Sequence, residues 1–284
     1  MARKRATLTD LLNDLTFKIN YDKLKLLALN RFEINGLPDG IEERHIMQLL
    51  FNKGAAIFFR DPEMSYMCLD ASPGAGMNVN GDPLGWWATG FNYHKYYDAD
   101  DCVIIKNNKL MIPTEQFVMY YANKLTEADR TMDVNVKACK TPFIFACDDK
   151  DVLSFKQIFA KVDGNEPAIY ADRGLNLDSL QVFKTGVTFL GNELQTYRRT
   201  IENESLTFLG FNNVADEKKE RLITAEAEAN DELIESFVEI QLSSLTDAFN
   251  QINEKYGLKT SIKLRSSFQH GVENTIEKSE EVET

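Results

Sequence analysis

Two runs of acidic residues are the clearest candidates in the sequence for a metal site or for paired-carboxylate chemistry. The first, DADD, places carboxylates at Asp98, Asp100 and Asp101, and the second, CDDKD, covers residues 147–151. Closely spaced carboxylates are what a magnesium site or an acid–base pair requires. Both runs lie between predicted strands or before a predicted helix, where Asp commonly caps helices and forms turns. We therefore expect capping and turn roles for both.

The histidines and cysteines form no catalytic or zinc-binding pattern. His45 lies on an amphipathic helix, His94 in an aromatic strand and His270 before the acidic tail, and none is close in sequence to a Ser or Cys in a catalytic setting. The four cysteines include no C-x-x-C pair; they are Cys68, Cys102, Cys139 and Cys147. They are expected to be small buried side chains in a reduced protein. The sequence predicts no enzyme, no metal and no cofactor.

Charge and motifs exclude several nucleic-acid and nucleotide functions. The net charge of −12 argues against general duplex binding, which needs a clustered basic surface. Neither Gly-rich nucleotide motif, G-x-x-x-x-G-K-[ST] or G-x-G-x-x-G, occurs. The aromatic residues Trp86, Trp87, Tyr93, Tyr96 and Tyr97 could stack on bases, but Lys95 is the one lysine or arginine interleaved with them, so packing in a core or subunit interface is expected.

The chain has no predicted membrane segment. The basic start Arg3-Lys4-Arg5 is followed by a stretch interrupted by Asp and Lys rather than by an apolar signal core. No run approaches the roughly 18 apolar residues that a membrane span needs. We expect a soluble protein that is made inside the cell.

Three long helices dominate the predicted elements. Apolar residues at helical spacing indicate helices over Thr114–Lys140, about Val187–Leu209 and Leu233–Tyr256, the last closed by Gly257. A small α/β module separates the first two helices. A charged stretch separates the last two, since residues 216–239 hold nine acids and three bases.

The N-terminal third is predicted to mix helices and strands. A helical pattern from Leu8 continues to Phe32, and a second helix follows over residues 41–54. Short strands are expected over residues 55–61 and 65–70, followed by a Gly- and Pro-rich loop over 72–87. The segment DCVIIKNNKLMIP indicates two strands joined at Asn107-Asn108. One more strand, LKTSIKLRS, precedes an acidic tail that is expected to be disordered.

Several segments together resemble the upper collar protein, also called the head–tail connector or portal protein, of small short-tailed bacteriophages. The segments occur in the family's order with similar spacing over nearly the whole chain. They are GAAIFFRDPEMSYM, VIIKNNKLMIPT, KTPFIFACDDKDVLSFKQIF, LQVFKTG, SLTFLG, EKKERLITAEAEANDELIES and INEKYGLK. A series this long is more specific than any single short motif.

The resemblance implies an α+β, helix-rich portal fold, in which long stem helices, a small β-containing clip module and a wing region assemble as a ring. The implied regions divide the whole chain. They are the wing over 1–112, the first stem helix over 113–140, the clip over 141–187, the second stem helix over 188–210, the channel loop over 211–232, and the long helix of the wing or crown with the acidic tail over 233–284.

The resemblance also implies a DNA channel lined by basic residues. Lys218, Lys219 and Arg221 belong to the channel loop, and Lys184 matches a channel-facing lysine of the family. A second channel lysine of the family is replaced here by Glu193, so the resemblance does not extend to the family's full pair of basic rings. Arg198 and Arg199, one turn later, are the candidates to compensate for it. Acidic residues of the loop keep the net field repulsive, because a conduit must not hold its cargo.

The N-terminal arm and the partners follow from the same resemblance. Arg3, Lys4 and Arg5 match a basic tip that binds a packaging RNA in well-known relatives, and a generic contact with capsid or DNA is an equal alternative. The implied partners are further copies in a ring of twelve, double-stranded DNA, capsid and scaffolding proteins, the lower collar or tail protein and the packaging ATPase. The implied location is the capsid portal vertex of the virion, after synthesis in the bacterial cytoplasm. The alternative from another class is an intracellular nucleic-acid- or scaffold-binding module that forms no ring.

Overall fold

The chain forms two compact units in a computed structural model. The model describes residues 8–140, 143–146, 153, 156–157, 181–184, 186–211 and 224–265. The larger unit combines residues 1–125 with 201–284, and the smaller unit consists of residues 126–200. The helix-rich α+β class expected from the sequence is confirmed.

Five α-helices and nine strands are described. The helices are α1 (Leu8–Leu29), α2 (Glu43–Lys53), α3 (Thr114–Lys140), α4 (Gly191–Phe208) and α5 (Thr224–Tyr256). The strands are β1 (Phe32–Asn35), β2 (Ala55–Asp61), β3 (Ser65–Pro73), β4 (Gly85–Gly90), β5 (Tyr93–Asp98), β6 (Cys102–Lys106), β7 (Phe143–Ala146), β8 (Gln181–Lys184) and β9 (Ser261–Leu264).

A five-stranded antiparallel sheet lies in the larger unit, with strand order β5-β4-β3-β2-β6. Strand β2, which lies between β3 and β6, is buried on both faces. Alternate side chains of a strand point to opposite faces, so Ile57 and Phe59 pack in one cluster with Trp86 and Tyr97. On the other face, Phe58 packs in a separate cluster that includes residues of α2 and α5.

Two strands that are far apart in the sequence pair in the larger unit. Strands β1 and β9 pair antiparallel, with Phe32 opposite Leu264. Beside this pair, Leu245, Phe249 and Ile252 of α5 are fully buried in the core cluster. Burial of large apolar side chains of this kind is the main stabilising contribution to the unit.

Helix α2 ends at a glycine that the fold requires. Gly54 has φ +82°, the left-handed conformation that favours glycine, and its N–H donates to the Leu50 carbonyl. A Cβ at this position would lie 2.0 Å from the Met111 carbonyl oxygen. The close approach holds the loop before α3 against the end of α2.

Several predicted helices, strands and loops have different limits in the structure. The helical pattern that continues to Phe32 stops at Leu29, because Phe32–Asn35 pairs with a strand more than 220 residues later. The predicted second strand after Asn107-Asn108 is absent, because the Asn108 Oδ1 accepts from the Leu110 and Ile112 N–H groups and folds the chain back. The loop expected over 72–87 is shorter, because β3 extends to Pro73 and β4 begins at Gly85.

The long helices also differ in their limits. Helix α3 occupies the predicted range, whereas α4 begins at Gly191, after extended residues 187–190. Helix α5 begins at Thr224, so residues 224–232 of the segment expected to be a loop are helical. The preceding residues 212–223 lie outside the described residues.

Candidate nucleic-acid channel residues

Arg198 joins the parts of α3 and α4 that lie in the smaller unit. Its Nε lies 2.5 Å from Oδ1 of Asp129 on α3, and about a quarter of each side chain is exposed. Because a charge-assisted hydrogen bond fixes the guanidinium, Arg198 is oriented by the protein itself. The prediction that Arg198 is a compensating channel cation therefore applies to a guanidinium that is already paired with Asp129.

Asn135 supplies a second connection between these segments. Its Nδ2 donates to the Thr188 carbonyl at 2.9 Å, and its Oδ1 accepts from the Leu190 N–H at 3.0 Å. The side chain therefore satisfies two backbone groups immediately before α4 begins. Asn135 and Asp129 lie six residues apart on α3, which is more than one turn of the helix. The two connections therefore hold α4 and the residues just before it along this length of α3.

Arg199, the neighbour of Arg198, is exposed. Among the described residues it makes no ion pair. Neighbouring positions on a helix are about 100° apart around the axis, so Arg199 points away from the Asp129 contact. The two adjacent arginines thus differ in role: Arg198 is held by a carboxylate, and Arg199 presents its charge to solvent.

The backbone position of Lys184 is described, in β8 opposite Phe143 of β7. Its side chain lies outside the description. The remaining predicted basic residues, in the loop and in the N-terminal arm, also lie outside the described residues. They are Lys218, Lys219, Arg221, Arg3, Lys4 and Arg5.

The acidic and aromatic candidates have structural contacts. Residues 99–101 form one 3₁₀ turn, and the Asp100 and Asp101 backbone carbonyls accept from Lys255 and Tyr256 of α5.

Trp87 stacks on His94 with ring centroids 4.6 Å apart, on two paired strands. Over the described ranges, no three His, Cys, Asp or Glu side chains group as metal ligands would. The run at 147–151 and His270 lie outside those ranges.

The described cysteines are mostly buried, as expected. Cys68 and Cys102 are buried and Cys139 is half-buried. Burial raises the pKa of Cys68 to about 12 and that of Cys102 to about 11. Because the thiolate is the reactive form, these two thiols are poor nucleophiles near neutral pH.

A polar cluster around Asp61 was not predicted from the sequence. This carboxylate accepts from the Glu63 N–H at 2.9 Å, from the Tyr93 hydroxyl at 2.7 Å and from the Tyr97 hydroxyl at 3.2 Å. The Glu63 and Tyr93 hydrogen bonds favour the charged form and hold the pKa of Asp61 well below its usual range. With Lys95 nearby at 3.4 Å, the carboxylate is fully partnered. Asp61 therefore fixes the β2–β3 turn against β5, and we assign it no catalytic role.

None of the described helices is both long enough and apolar enough to cross a membrane.

Comparison with known proteins identifies relatives. A family model described as Phage Connector (GP10) matches residues 7–269. The chain is also similar to solved structures at low identity. The portal and tail structure of native bacteriophage P68 matches with TM-score 0.49 and 11% identity, over 100% of each chain. An HK97-family phage portal protein from Corynebacterium diphtheriae matches with TM-score 0.45 and 13% identity, over 96% of this chain and 99% of that one. A virion structure of a native gene transfer agent particle matches with TM-score 0.45 and 12% identity, over 94% and 84%.

Proposed function

The chain belongs to the phage connector family and is a phage head–tail connector, or portal, protein; we propose that its copies close into a ring at one capsid vertex and conduct double-stranded DNA during packaging and ejection. The observation that carries the proposal is the family match over residues 7–269. The connector family is a structural rather than an enzymatic class. The resemblance gives the ring twelve subunits, a number that the sequence of one subunit does not encode.

Uncovered apolar side chains on the long helices support assembly. In the single chain, Val134 is 61% exposed, Tyr197 54% and Tyr120 54%. Exposed large apolar side chains are typical of surfaces that another protein covers. A ring requires head-to-tail contacts between two different faces of the subunit, and helices that are apolar on more than one side supply such faces.

The proposed channel surface combines few cations with many acids. Arg199 contributes one exposed charge per subunit, and Lys184 contributes another at the end of β8. Arg198 acts mainly through its contact with Asp129, which orients α4. In a ring, the copies of each cation form a circle of positive charges. The net charge of −12 per chain keeps their surroundings repulsive to phosphate.

Lys218, Lys219 and Arg221 are proposed to reach the moving DNA from the channel loop, and their brief phosphate contacts are offset by the adjacent acids. The N-terminal cations Arg3, Lys4 and Arg5 are proposed to meet either a packaging RNA or a capsid or DNA surface. Capsid and scaffolding proteins, the lower collar or tail protein and the packaging ATPase are the proposed partners. The proposed location is the portal vertex of the virion.

Assembly is the property that tests the proposal. The purified chain is passed over a sizing column with light-scattering detection, and the peak is imaged by negative stain. A mass of about twelve chains, in annular particles with a central hole, is expected from cyclic closure. A uniform monomer or dimer, at high concentration and in several salts, contradicts spontaneous ring formation and favours a binding module without a ring.

A further inference from the structure

A cavity in the larger unit contains a buried cation that has no carboxylate partner among the described residues. Arg31 is only 3% exposed. Its Nη2 donates to Oε1 of Gln241 at 2.7 Å, while its buried Nε has no hydrogen-bond partner in the part of the chain that the structure describes. Removal from water lowers the pKa of Arg31 to about 10. A guanidinium stays charged at neutral pH, so the site holds a buried charge that no anion of the described residues neutralises.

The walls of this cavity are mainly apolar. Its volume is about 380 Å³, and it lies among α3, α4, α5 and the loop after β6. Phe208 packs against Phe117 at 4.4 Å and against Phe237 at 5.4 Å between ring centroids. At the rim, Leu110 is 77% exposed and Ile240 55% exposed. An apolar cavity with a few convergent polar groups is the usual form of a binding site. This one is lined by two cations, Arg31 and Lys109, and it fits an apolar surface that carries a carboxylate.

Helix α1 of the same chain has that chemistry. Its outer face presents Leu15, Ile19 and Leu26, each more than half exposed, at helical spacing. Asp22 is exposed on the same face, one turn before Leu26, and it makes no ion pair among the described residues. We call this face the α1 stripe. The buried side of α1, with Leu24 and Ala28, points in the opposite direction.

We propose that the α1 stripe of one subunit docks on the Arg31 cavity of the neighbouring subunit, with the Asp22 carboxylate reaching the guanidinium. The inference rests on the proposed ring, because the stripe and the cavity are different faces of one chain and their contact is head to tail. It supplies the anion that the buried cation lacks, and it covers the exposed leucines of both surfaces. A buried charge without a partner is costly, whereas a hydrogen-bonded pair offsets that cost.

The first experiment is a cross-link between subunits. Leu26→Cys places a thiol on the stripe and Leu110→Cys places one on the cavity rim, and Asp22 and Arg31 are left intact. Rings of the double variant are isolated by sizing, oxidised and run on a non-reducing denaturing gel. A ladder of covalent multimers is expected, while each single variant serves as a control for the natural cysteines and stays monomeric. Rings that form and yield only monomer bands overturn the docking without touching the proposed function. Failure of the wild-type chain to form rings contradicts the proposed spontaneous ring formation instead.

The second experiment separates assembly from folding. Arg31→Met removes the buried charge at similar volume, so the single chain should resist denaturant at least as well as the wild type. Its rings should nevertheless dissociate at about tenfold higher protein concentration, as expected for the loss of a desolvated charge pair. Asp22→Asn should weaken the rings similarly, and combining both changes should add little further loss. Rings of unchanged stability in both single variants, or fully additive losses, overturn the pairing.

Discussion

Asp129 and Arg198 connect α3 and α4 through a carboxylate–guanidinium contact of 2.5 Å between Oδ1 and Nε. The contact lies within the smaller unit, in the part of the chain that the family resemblance assigns to the stem. It gives one of two adjacent arginines a structural role and leaves the other exposed. The difference between Arg198 and Arg199 can be measured directly.

A double-mutant cycle on this pair should reveal a modest coupling. Asp129→Asn and Arg198→Gln should each destabilise the monomer, and the coupling free energy should be about 0.5–1 kcal/mol because both side chains are partly exposed. The measurement is the free energy of unfolding from urea titrations of the two single variants and the double variant. Arg199→Gln is the matched control and should change the free energy of unfolding by no more than about 0.5 kcal/mol. A coupling of zero would contradict the structural role of Arg198.

Charge reversal at the exposed cation should affect DNA rather than folding. Arg199→Glu is expected to leave the urea midpoint and the ring unchanged, and to change DNA retention or ejection in assembled particles. The physical reason is that one positive circle in the channel becomes negative and phosphate is repelled more strongly. Loss of ring assembly in this variant would place Arg199 in a subunit contact instead of the channel.

The Lys184→Glu variant tests whether Lys184, which the resemblance places at the end of the clip, faces the DNA channel. Rings should assemble normally, and DNA retention or ejection should change. The retained DNA is quantified in particles assembled with each variant, with Lys184→Gln as a control for loss of charge without reversal. If the Glu variant fails to form rings, the channel assignment of Lys184 is wrong.

The sequence predicted the limits of α3 and β2 correctly. Helix α3 has a steady apolar period and matches its predicted range, and β2 has the expected limits because it is flanked by Gly54 and Pro62. It did not predict β1, whose four residues continue a helical pattern. Their strand conformation depends on pairing with β9, and pairing across such a separation leaves no local signal.

The candidate site was predictable only in part. Arg198 and Arg199 were both singled out as cations, but their different environments depend on the position of Asp129 on another helix. Arg31 carries no local signal of burial, because a single arginine after a helix has the pattern of a surface residue. Its burial results from residues brought together by α3, α4 and α5, and only the fold reveals it.

The Asp61 cluster should make stability depend on acid pH. The pKa of Asp61 is lower in the folded state than its unfolded value of about 3.9. Its contribution to stability is therefore fully present above that value and is lost as the pH falls towards the folded pKa. Between pH 7 and pH 3, the urea midpoint of the wild type should fall more than that of Asp61→Asn. Tyr93→Phe removes one hydrogen-bond donor and should give an intermediate slope; equal slopes in all three proteins would contradict this linkage.

Gly54 and Gly257 offer a matched test of close backbone packing. Both follow the last turn of a helix and both have positive φ, +82° and +68°. A Cβ at Gly257 would meet nothing within 4 Å, whereas one at Gly54 would lie 2.0 Å from the Met111 carbonyl oxygen. Gly257→Ala should therefore cost only the left-handed conformation, about 1–2 kcal/mol.

Gly54→Ala should cost clearly more, because the loop carrying Met111 must also move away from the end of α2. That movement strains the hydrogen bond that the Asn107 N–H donates to the Gly54 carbonyl at 2.9 Å. The free energy of unfolding from urea titration of the monomer gives the comparison, and the difference between the two variants isolates the steric contribution. Equal losses would mean that the loop yields freely. The close approach of Gly54 to Met111 would then contribute nothing to holding the start of α3 in place.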